Sequence, residues 1–150
     1  MLVEDLLHLS PLRVVTARPD NSIAEAASRM ARFGVGILLV MGNDDEVVGV
    51  LSERDIVVGI ASTAGGLDRI EVGAWMTASV VTISPKDTLV DAALTMNAHG
   101  IRHLIAVEDG LPVGVLSIRD VLRFFARKCL EDGGGDSRLE PGIVKAMAAA

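Results

Sequence analysis

The sequence has few of the residues that build disulfide, metal or aromatic sites. One of its 150 residues is cysteine, Cys129, three are histidine, none is tyrosine, and aromatic residues make up 3% of the chain. A single cysteine excludes an internal disulfide and argues against a cysteine metal site. His8, His99 and His103 lack metal-ligand spacing, so we expect no metal and no cofactor. Because half of the residues are hydrophobic, the core must consist of aliphatic side chains and methionine.

Basic charge and long apolar runs are also scarce. The chain has 14 basic and 20 acidic residues, a net charge of −6, and no basic run; we therefore expect no nucleic acid partner. The longest apolar stretches, such as 35–41, are far shorter than the roughly 20 residues that span a bilayer. The first residues also lack the pattern of a signal peptide. We expect a cytoplasmic protein with no membrane partner, and a mean hydropathy of +0.44 favours a homodimer.

The dominant feature of the sequence is an internal repeat. The segment VVTARPDNSIAEAASRMARFG at Val14 returns as VVTISPKDTLVDAALTMNAHG at Val80, an offset of 66 residues. Further on, VGVLSERDIV at Val48 returns as VGVLSIRDVL at Val113, an offset of 65. Repeats of this kind indicate one structural unit used twice. We divide the chain into repeat 1 (residues 1–62), a linker (63–71), repeat 2 (72–130) and a flexible C-terminal tail (131–150).

Each copy predicts the same order of elements, strand–helix–strand–strand–helix, and hence an α/β (α+β) fold. A short extended piece ends at a proline, and Ser22 or Thr88 then stands at a predicted helix N-cap, with an acid three residues later. The helix that follows has a regular apolar face. Gly34 or Gly100 suits its C-terminal cap. Two strands joined by a polar turn follow, and a second helix closes the copy.

Short segments ahead of the two copies, Val3–Leu7 and Val72–Met76, correspond loosely. The second of them contains Trp75, the only tryptophan of the chain. We expect Trp75 to pack the linker against a sheet, and a contact in a dimer is the alternative.

The motif Gly-Val-Leu-Ser-x-Arg-Asp ends the strand pair of each copy, at Gly49–Asp55 and Gly114–Asp120. One interpretation is structural: Ser-x-x-Asp resembles a capping box, although Glu or Gln is its usual acid, and an acid suits the first turn of a helix. The other interpretation is functional. Such a carboxylate can accept hydrogen bonds from both hydroxyls of a ribose, while the serine and the free N–H groups meet phosphate oxygens. The two interpretations do not exclude each other.

The duplicated pattern, with this motif in both copies, resembles a pair of cystathionine β-synthase (CBS) domains, also called a Bateman module. The resemblance covers about residues 3–128, and the fragments SERDIV and RHLIAV are similar to small stand-alone bacterial proteins of this family. It implies two repeats packed as a pseudo-twofold disc, with two clefts between their sheets. The implied ligand is an adenosyl compound: AMP, ADP or ATP, and alternatively S-adenosylmethionine or NAD(H).

The resemblance also implies which residues form the two nucleotide-binding clefts. Each cleft takes the Ser-x-x-Asp of one repeat and the first segment and helix of the other. One cleft is expected to use Val115, Ser117, Arg119 and Asp120, with Asn21, Ala26, Val35 and Gly36 from repeat 1. The other is expected to use Val50, Ser52, Arg54 and Asp55, with Asp87, Ala92, Ile101 and Arg102 from repeat 2.

The two copies differ where basic residues of related proteins face the nucleotide phosphates. Repeat 2 has Arg102-His103 at the position where repeat 1 has Gly36-Ile37. The resemblance places Arg102 and His103 near the centre of the disc, where they could reach either cleft. We favour phosphates held in the cleft of Asp120, and a solvated strand start is the alternative to any phosphate contact.

A second difference between the two copies also favours phosphate binding in the Asp120 cleft. Asp87 replaces Asn21 in the second copy and adds a negative charge beside the Asp55 cleft, which disfavours an anion there. The Asp120 cleft is therefore the predicted better phosphate site.

Three classes of function are compatible with these features. The two aspartates and the Arg102-His103 pair favour a regulatory module that senses adenine nucleotides or adenosyl compounds and changes shape. The alternative is a scaffold or interaction protein with vestigial clefts. An enzyme is disfavoured, because the sequence shows no nucleophile–base pair and no glycine-rich phosphate loop. The output is expected to pass through an unknown protein effector, a face of a dimer, or the tail.

Overall fold

The computed structural model describes residues 1–9 and 14–131, and the predicted flexible tail lies outside these residues from residue 132 onward. It contains two three-stranded sheets with helices, so the predicted α+β fold is confirmed. A short 3-10 turn, Leu67–Arg69, precedes the fourth helix. The helices and strands are α1 (Val3–Leu9), β1 (Thr16–Ala17), α2 (Ile23–Phe33), β2 (Ile37–Met41), β3 (Val47–Ser52), α3 (Glu53–Ser62), α4 (Val72–Trp75), β4 (Thr82–Ile83), α5 (Leu89–Ala98), β5 (His103–Glu108), β6 (Leu111–Ser117) and α6 (Ile118–Glu131).

The described residues form two compact units, which divide the chain differently from the sequence repeat. One unit contains residues 14–80, and the other contains residues 1–9 together with 81–131. In each sheet the two-residue strand runs parallel to the middle strand, and the third strand is antiparallel to it. The strand orders are β1-β2-β3 and β4-β5-β6. Each unit therefore combines one repeated segment with the helix that precedes the other copy.

Capping side chains set the starts of α2 and α5, as predicted. Ser22 and Glu25 form a reciprocal capping box at α2, and Thr88 and Asp91 form one at α5. Hydrogen bonds from the Thr88 hydroxyl and backbone N–H hold the pKa of Asp91 below its usual value. The glycines predicted to follow these helices both adopt the left-handed conformation, with φ of 65° and 62°.

Aliphatic side chains fill both cores, and the predicted apolar faces of α2 and α5 lie within them. The core of the 14–80 unit consists of Ala17, Ile23, Ala26, Met30, Leu38, Val40, Leu51, Ile56 and Val72. The core of the other unit consists of Val3, Leu6, Ile83, Leu89, Ala92, Ala93, Met96, Leu104, Ala106, Leu116 and Val121.

We call α1 and α4 the leading helices, because each precedes one copy of the repeat in the sequence. They dock on their units through matching backbone hydrogen bonds. The Val3 N–H of α1 donates to the Asp87 carbonyl at 2.8 Å, and the Val72 N–H of α4 donates to the Asn21 carbonyl at 2.8 Å. The next N–H of each helix donates to a proline carbonyl at 2.9 Å. Free N–H groups at a helix start need acceptors, and the loops ahead of α5 and α2 supply them. With seven and four residues, these helices are too short to give a periodic signal in the sequence.

Each leading helix meets the last helix of its unit with side chains of complementary size. The Trp75 ring of α4 lies so close to Gly59 of α3 that a Cβ on Gly59 would come within 2.4 Å of ring carbons. At the corresponding positions the other unit has Leu6, which is buried, and Phe124, which packs against the same core. The large side chain thus stands on the leading helix in one unit and on the last helix in the other. The close partner of Trp75 is a helix, whereas the sequence suggested a sheet.

Replacing Gly59 with alanine tests this complementarity. Alanine favours a helix interior over glycine by about 1 kcal/mol, but its Cβ would collide with the Trp75 ring, and overpacking costs about 1–3 kcal/mol. We expect Gly59→Ala to lower the free energy of unfolding in the unmodified chain and to raise it in a Trp75→Leu chain. Urea denaturation measures both. Gly66→Ala, where a Cβ would meet no atom within 4 Å, is the control. Destabilisation of equal size in both backgrounds would contradict the packing described.

Candidate functional site

In the 14–80 unit the Ser-x-x-Asp motif lies where β3 ends and α3 begins. One carboxylate oxygen of Asp55, Oδ2, accepts hydrogen bonds from the Ser52 N–H at 2.7 Å and from the Ser52 hydroxyl at 2.6 Å. The Asp55 N–H donates back to the Ser52 hydroxyl at 3.4 Å. This is a reciprocal capping box, so the structural interpretation of the motif is confirmed. Both side chains are half-buried, and capping uses only one of the two carboxylate oxygens.

The second motif has two of these three hydrogen bonds where β6 ends and α6 begins. The Ser117 hydroxyl donates to Asp120 Oδ2, and the Asp120 N–H donates to the Ser117 hydroxyl at 3.2 Å. The other oxygen, Asp120 Oδ1, lies 3.8 Å from a guanidinium nitrogen of Arg123, one turn further along α6. The Asp120 side chain is 18% exposed and that of Arg123 is 71% exposed. Arg123 is not among the predicted site residues, although its spacing of three residues from Asp120 is the signal that predicts such a pair.

The start of the neighbouring strand lies beside each motif. In the sheet register His103 pairs with Ser117, and the Arg102 carbonyl accepts the Ile118 N–H at 2.9 Å. The equivalent bond of the 14–80 unit, between the first residue of α3 and residue 36, measures 3.1 Å. The structure therefore brings Arg102 and His103 to the Ser117–Asp120 pair within one unit. Their contact with phosphates stays a prediction.

The two motifs stand in opposite electrostatic surroundings. We compare the first six residues of each helix, together with the first residue of the neighbouring strand and the residue before it. At α6 one acid and three bases give a formal charge of +2: Asp120, Arg102, Arg119 and Arg123. At α3 two acids and one base give a formal charge of −1: Glu53, Asp55 and Arg54. The repeat predicted the difference at Arg102, but not those at Glu53 and Arg123.

Asn21 and Asp87 have structural roles that the sequence did not reveal. The Asn21 side-chain oxygen accepts the Arg18 N–H at 3.0 Å, and a carboxylate oxygen of Asp87 accepts the Ser84 N–H at 2.9 Å. The carbonyls of Asn21 and Asp87 also accept the N–H groups that start the leading helices. Both residues thus stabilise a turn and dock a helix, and their contact with a ligand stays a prediction.

The other predicted site residues lie in two settings. Ala26 and Ala92 belong to the cores and are 1% and 0% exposed. Val35 and Ile101 follow the left-handed glycines and pack against those cores. The remaining predicted residues are half-buried or exposed: Gly36, Val50, Arg54, Val115 and Arg119. The combination of residues from both repeats in one cleft stays a prediction.

Neither core contains a candidate polar site. Among residues 1–9 and 14–131, no buried side-chain nitrogen or oxygen lacks a hydrogen-bond partner. In the same part of the chain, no group of three or more His, Cys, Asp or Glu side chains is placed to hold a metal ion. None of the helices in the described ranges is both long and apolar enough to cross a membrane. The candidate sites are the two strand–helix junctions, where the Ser-x-x-Asp pairs stand.

Comparison with known sequences identifies the family. A family model described as CBS domain matches residues 3–62 and 71–127. The CBS domain-containing protein YhcV of Bacillus subtilis is 34% identical over 110 residues, which cover 73% of this chain and 76% of that protein. The chain spans 57% of the length of an uncharacterized protein of Methanopyrus kandleri, to which it is 29% identical. Some relatives are therefore much longer than the region they share with this chain.

Solved structures show the same fold. A CBS-domain containing protein from Agrobacterium tumefaciens is 32% identical with a TM-score of 0.80, and the match covers 83% of this chain and 99% of that one. PAE2072 from Pyrobaculum aerophilum, complexed with AMP, is 31% identical with a TM-score of 0.72 over 85% and 99% of the chains. The CBS domain pair of protein MJ0100, in complex with 5′-methylthioadenosine and S-adenosyl-L-methionine, is 26% identical with a TM-score of 0.75 over 85% and 98%. The chain belongs to the CBS-domain family.

Proposed function

We propose that this chain is a regulatory module that binds adenine nucleotides or other adenosyl compounds at the starts of α3 and α6. The observation that carries the proposal is the half-buried Ser-x-x-Asp pair, which occurs at the same strand–helix junction in both units. Related proteins were solved with AMP and with 5′-methylthioadenosine and S-adenosyl-L-methionine. All three ligands contain adenine joined to a ribose with 2′- and 3′-hydroxyls, so this part is the expected common determinant.

The geometry suits recognition of a ribose. Oδ2 of each aspartate takes part in capping, and an ionised carboxylate has further acceptor positions on its second oxygen. A carboxylate at a helix start can accept hydrogen bonds from the 2′- and 3′-hydroxyls of a ribose. The N–H groups of the first helical turn favour an anionic group close by.

The proposed role is binding without catalysis, in the cytoplasm, with the output read by a protein effector. CBS-domain pairs are generally regulatory modules, and the two carboxylates serve helix capping. A ligand regulates such a module only if it binds one conformation more tightly than another. A scaffold on the same fold that binds no ligand is the alternative function.

A panel of adenosyl compounds tests the proposal. We expect AMP, ADP, ATP, S-adenosylmethionine, 5′-methylthioadenosine or NAD(H) to raise the melting temperature of the unmodified chain, because binding to the folded state stabilises it. Asp55→Ala and Asp120→Ala should each remove one binding site in isothermal titration calorimetry, and the double variant should remove both.

Asp91→Ala is the matched control for this panel. Asp91 caps α5 in the same way but has no proposed ligand contact. Without ligand, all three single variants should lose about 0.5–1.5 kcal/mol of stability, the usual net contribution of a hydrogen bond, because each removes the acid that faces an N-cap hydroxyl. Only Asp91→Ala should retain both binding sites. If no compound of the panel binds, or if the double variant binds as the unmodified chain does, the proposed function is contradicted and the scaffold is favoured.

We also propose that the chain forms a homodimer through the outer face of α3. Val57, Val58 and Ile60 are 65%, 62% and 49% exposed, so α3 is apolar on its outer side as well as its inner side. Such a helix is normally covered. We expect a dimer of the unmodified chain in sedimentation equilibrium and a monomer of Val57→Glu. Leu111→Glu, at a residue 66% exposed on β6, should remain dimeric, and a monomeric unmodified chain would contradict the proposal.

A further inference from the structure

We propose that the two helix starts select adenosyl ligands of different charge. The start of α6, with Asp120, takes ligands whose 5′ substituent is anionic, such as a phosphate chain. The start of α3, with Asp55, takes ligands whose 5′ substituent is neutral or cationic, such as a thioether or a sulfonium. This assignment rests on the proposed function and extends it, because it gives each aspartate a ligand class.

Three exchanges between the copies carry the assignment, and each makes the α6 start more positive than the α3 start. The exchanged pairs are Gly36 and Arg102, Glu53 and Ile118, and Val58 and Arg123. The members of the first two pairs occupy matching places in the fold, because Gly36 and Arg102 accept the N–H of Glu53 and Ile118 at 3.1 and 2.9 Å. Two of the three charge differences therefore lie at structurally matching positions, and the third pair, Val58 and Arg123, matches in the sequence repeat.

The Arg123–Asp120 pair shows how the charge difference between the two helix starts can affect a bound ligand. Its atoms are 3.8 Å apart and Arg123 is 71% exposed, so the pair adds little to folding stability. Its main effect is electrostatic: the guanidinium offsets the Asp120 carboxylate, which can then receive ribose hydroxyls without repelling a nearby phosphate. The first turn of α3 instead has two acids, Glu53 and Asp55, and Val58 stands at the position of Arg123.

The helix starts themselves cannot provide this discrimination. The positive end of a helix dipole and its free N–H groups favour an anion at α3 and at α6 alike. The side chains must therefore decide which ligand each start prefers. A unit charge about 7 Å from a ligand charge changes affinity by roughly 3- to 10-fold at effective dielectric constants between 40 and 80.

Three ligands that share adenosine but differ in 5′ charge test the assignment: ATP, 5′-methylthioadenosine and S-adenosylmethionine. The Asp55→Ala chain isolates the α6 start, and the Asp120→Ala chain isolates the α3 start. By isothermal titration calorimetry at low salt, we expect the first chain to bind ATP more tightly than S-adenosylmethionine and the second to show the reverse order. Asp→Asn variants, which keep a capping side chain, replace any alanine variant that does not fold.

Removal of single charges sharpens the test. In the Asp55→Ala chain, Arg123→Gln should weaken ATP binding by roughly 3- to 10-fold and leave 5′-methylthioadenosine unchanged. In the Asp120→Ala chain, Glu53→Gln should strengthen ATP binding and weaken S-adenosylmethionine binding by similar factors. Arg69→Gln, at an exposed arginine of the 3-10 turn, is the control and should change none of these affinities.

The outcomes separate this assignment from the proposed function. If the three ligands bind but rank in the same order at both starts, the charge assignment is wrong and the proposed function stands. If Arg123→Gln weakens ATP and 5′-methylthioadenosine equally, Arg123 acts on the structure of the site and the assignment is also wrong. If none of the three ligands binds the unmodified chain, the proposed function and the assignment fail together.

Discussion

A hydroxyl side chain paired with an acid three residues later sets the start of four helices in the described part of the chain. Reciprocal boxes begin α2, α3 and α5, and Ser117 with Asp120 begins α6. Each pair satisfies N–H groups that would otherwise lack partners at a helix start. Because α3 and α6 follow directly on β3 and β6, the same pairs also place an aspartate at the end of a strand in each unit.

All four pairs cap a helix, and two of them are also proposed to bind a ligand. The surroundings of the pairs distinguish these two from the others more than the hydrogen bonds within the pairs do. Glu25 and Asp91 follow loops and are exposed, whereas Asp55 and Asp120 are half-buried at a strand–helix junction. The neighbouring strand starts beside the second kind of pair and brings residues such as Arg102 to it. One local interaction therefore supports the fold at four places and, in our proposal, also recognises ribose at two of them.

The sequence predicted the features that depend on local chemistry and on the repeat: the caps, the left-handed glycines, the strand pairs and the positions of Asp55 and Asp120. It did not predict the leading helices, because four residues of α4 have no periodicity and their acceptors lie in a distant loop. The contact of Trp75 with Gly59 was not predicted either, because it joins two helices through side-chain packing that no local sequence pattern marks. Arg123 could have been found by aligning α3 with α6 residue by residue.

The central claim is that the carboxylates of Asp55 and Asp120 bind the ribose hydroxyls of an adenosyl ligand. Calorimetric titration of adenosine and 2′,3′-dideoxyadenosine, which carry no 5′ charge, into the unmodified chain and into an Asp55→Asn/Asp120→Asn chain tests it most directly. If hydroxyls and carboxylates bond to each other, removing either partner should weaken binding roughly tenfold or more, and removing both should weaken it no further. Losses that simply add would contradict the claim, because they would place the hydroxyls and the carboxylates in separate interactions.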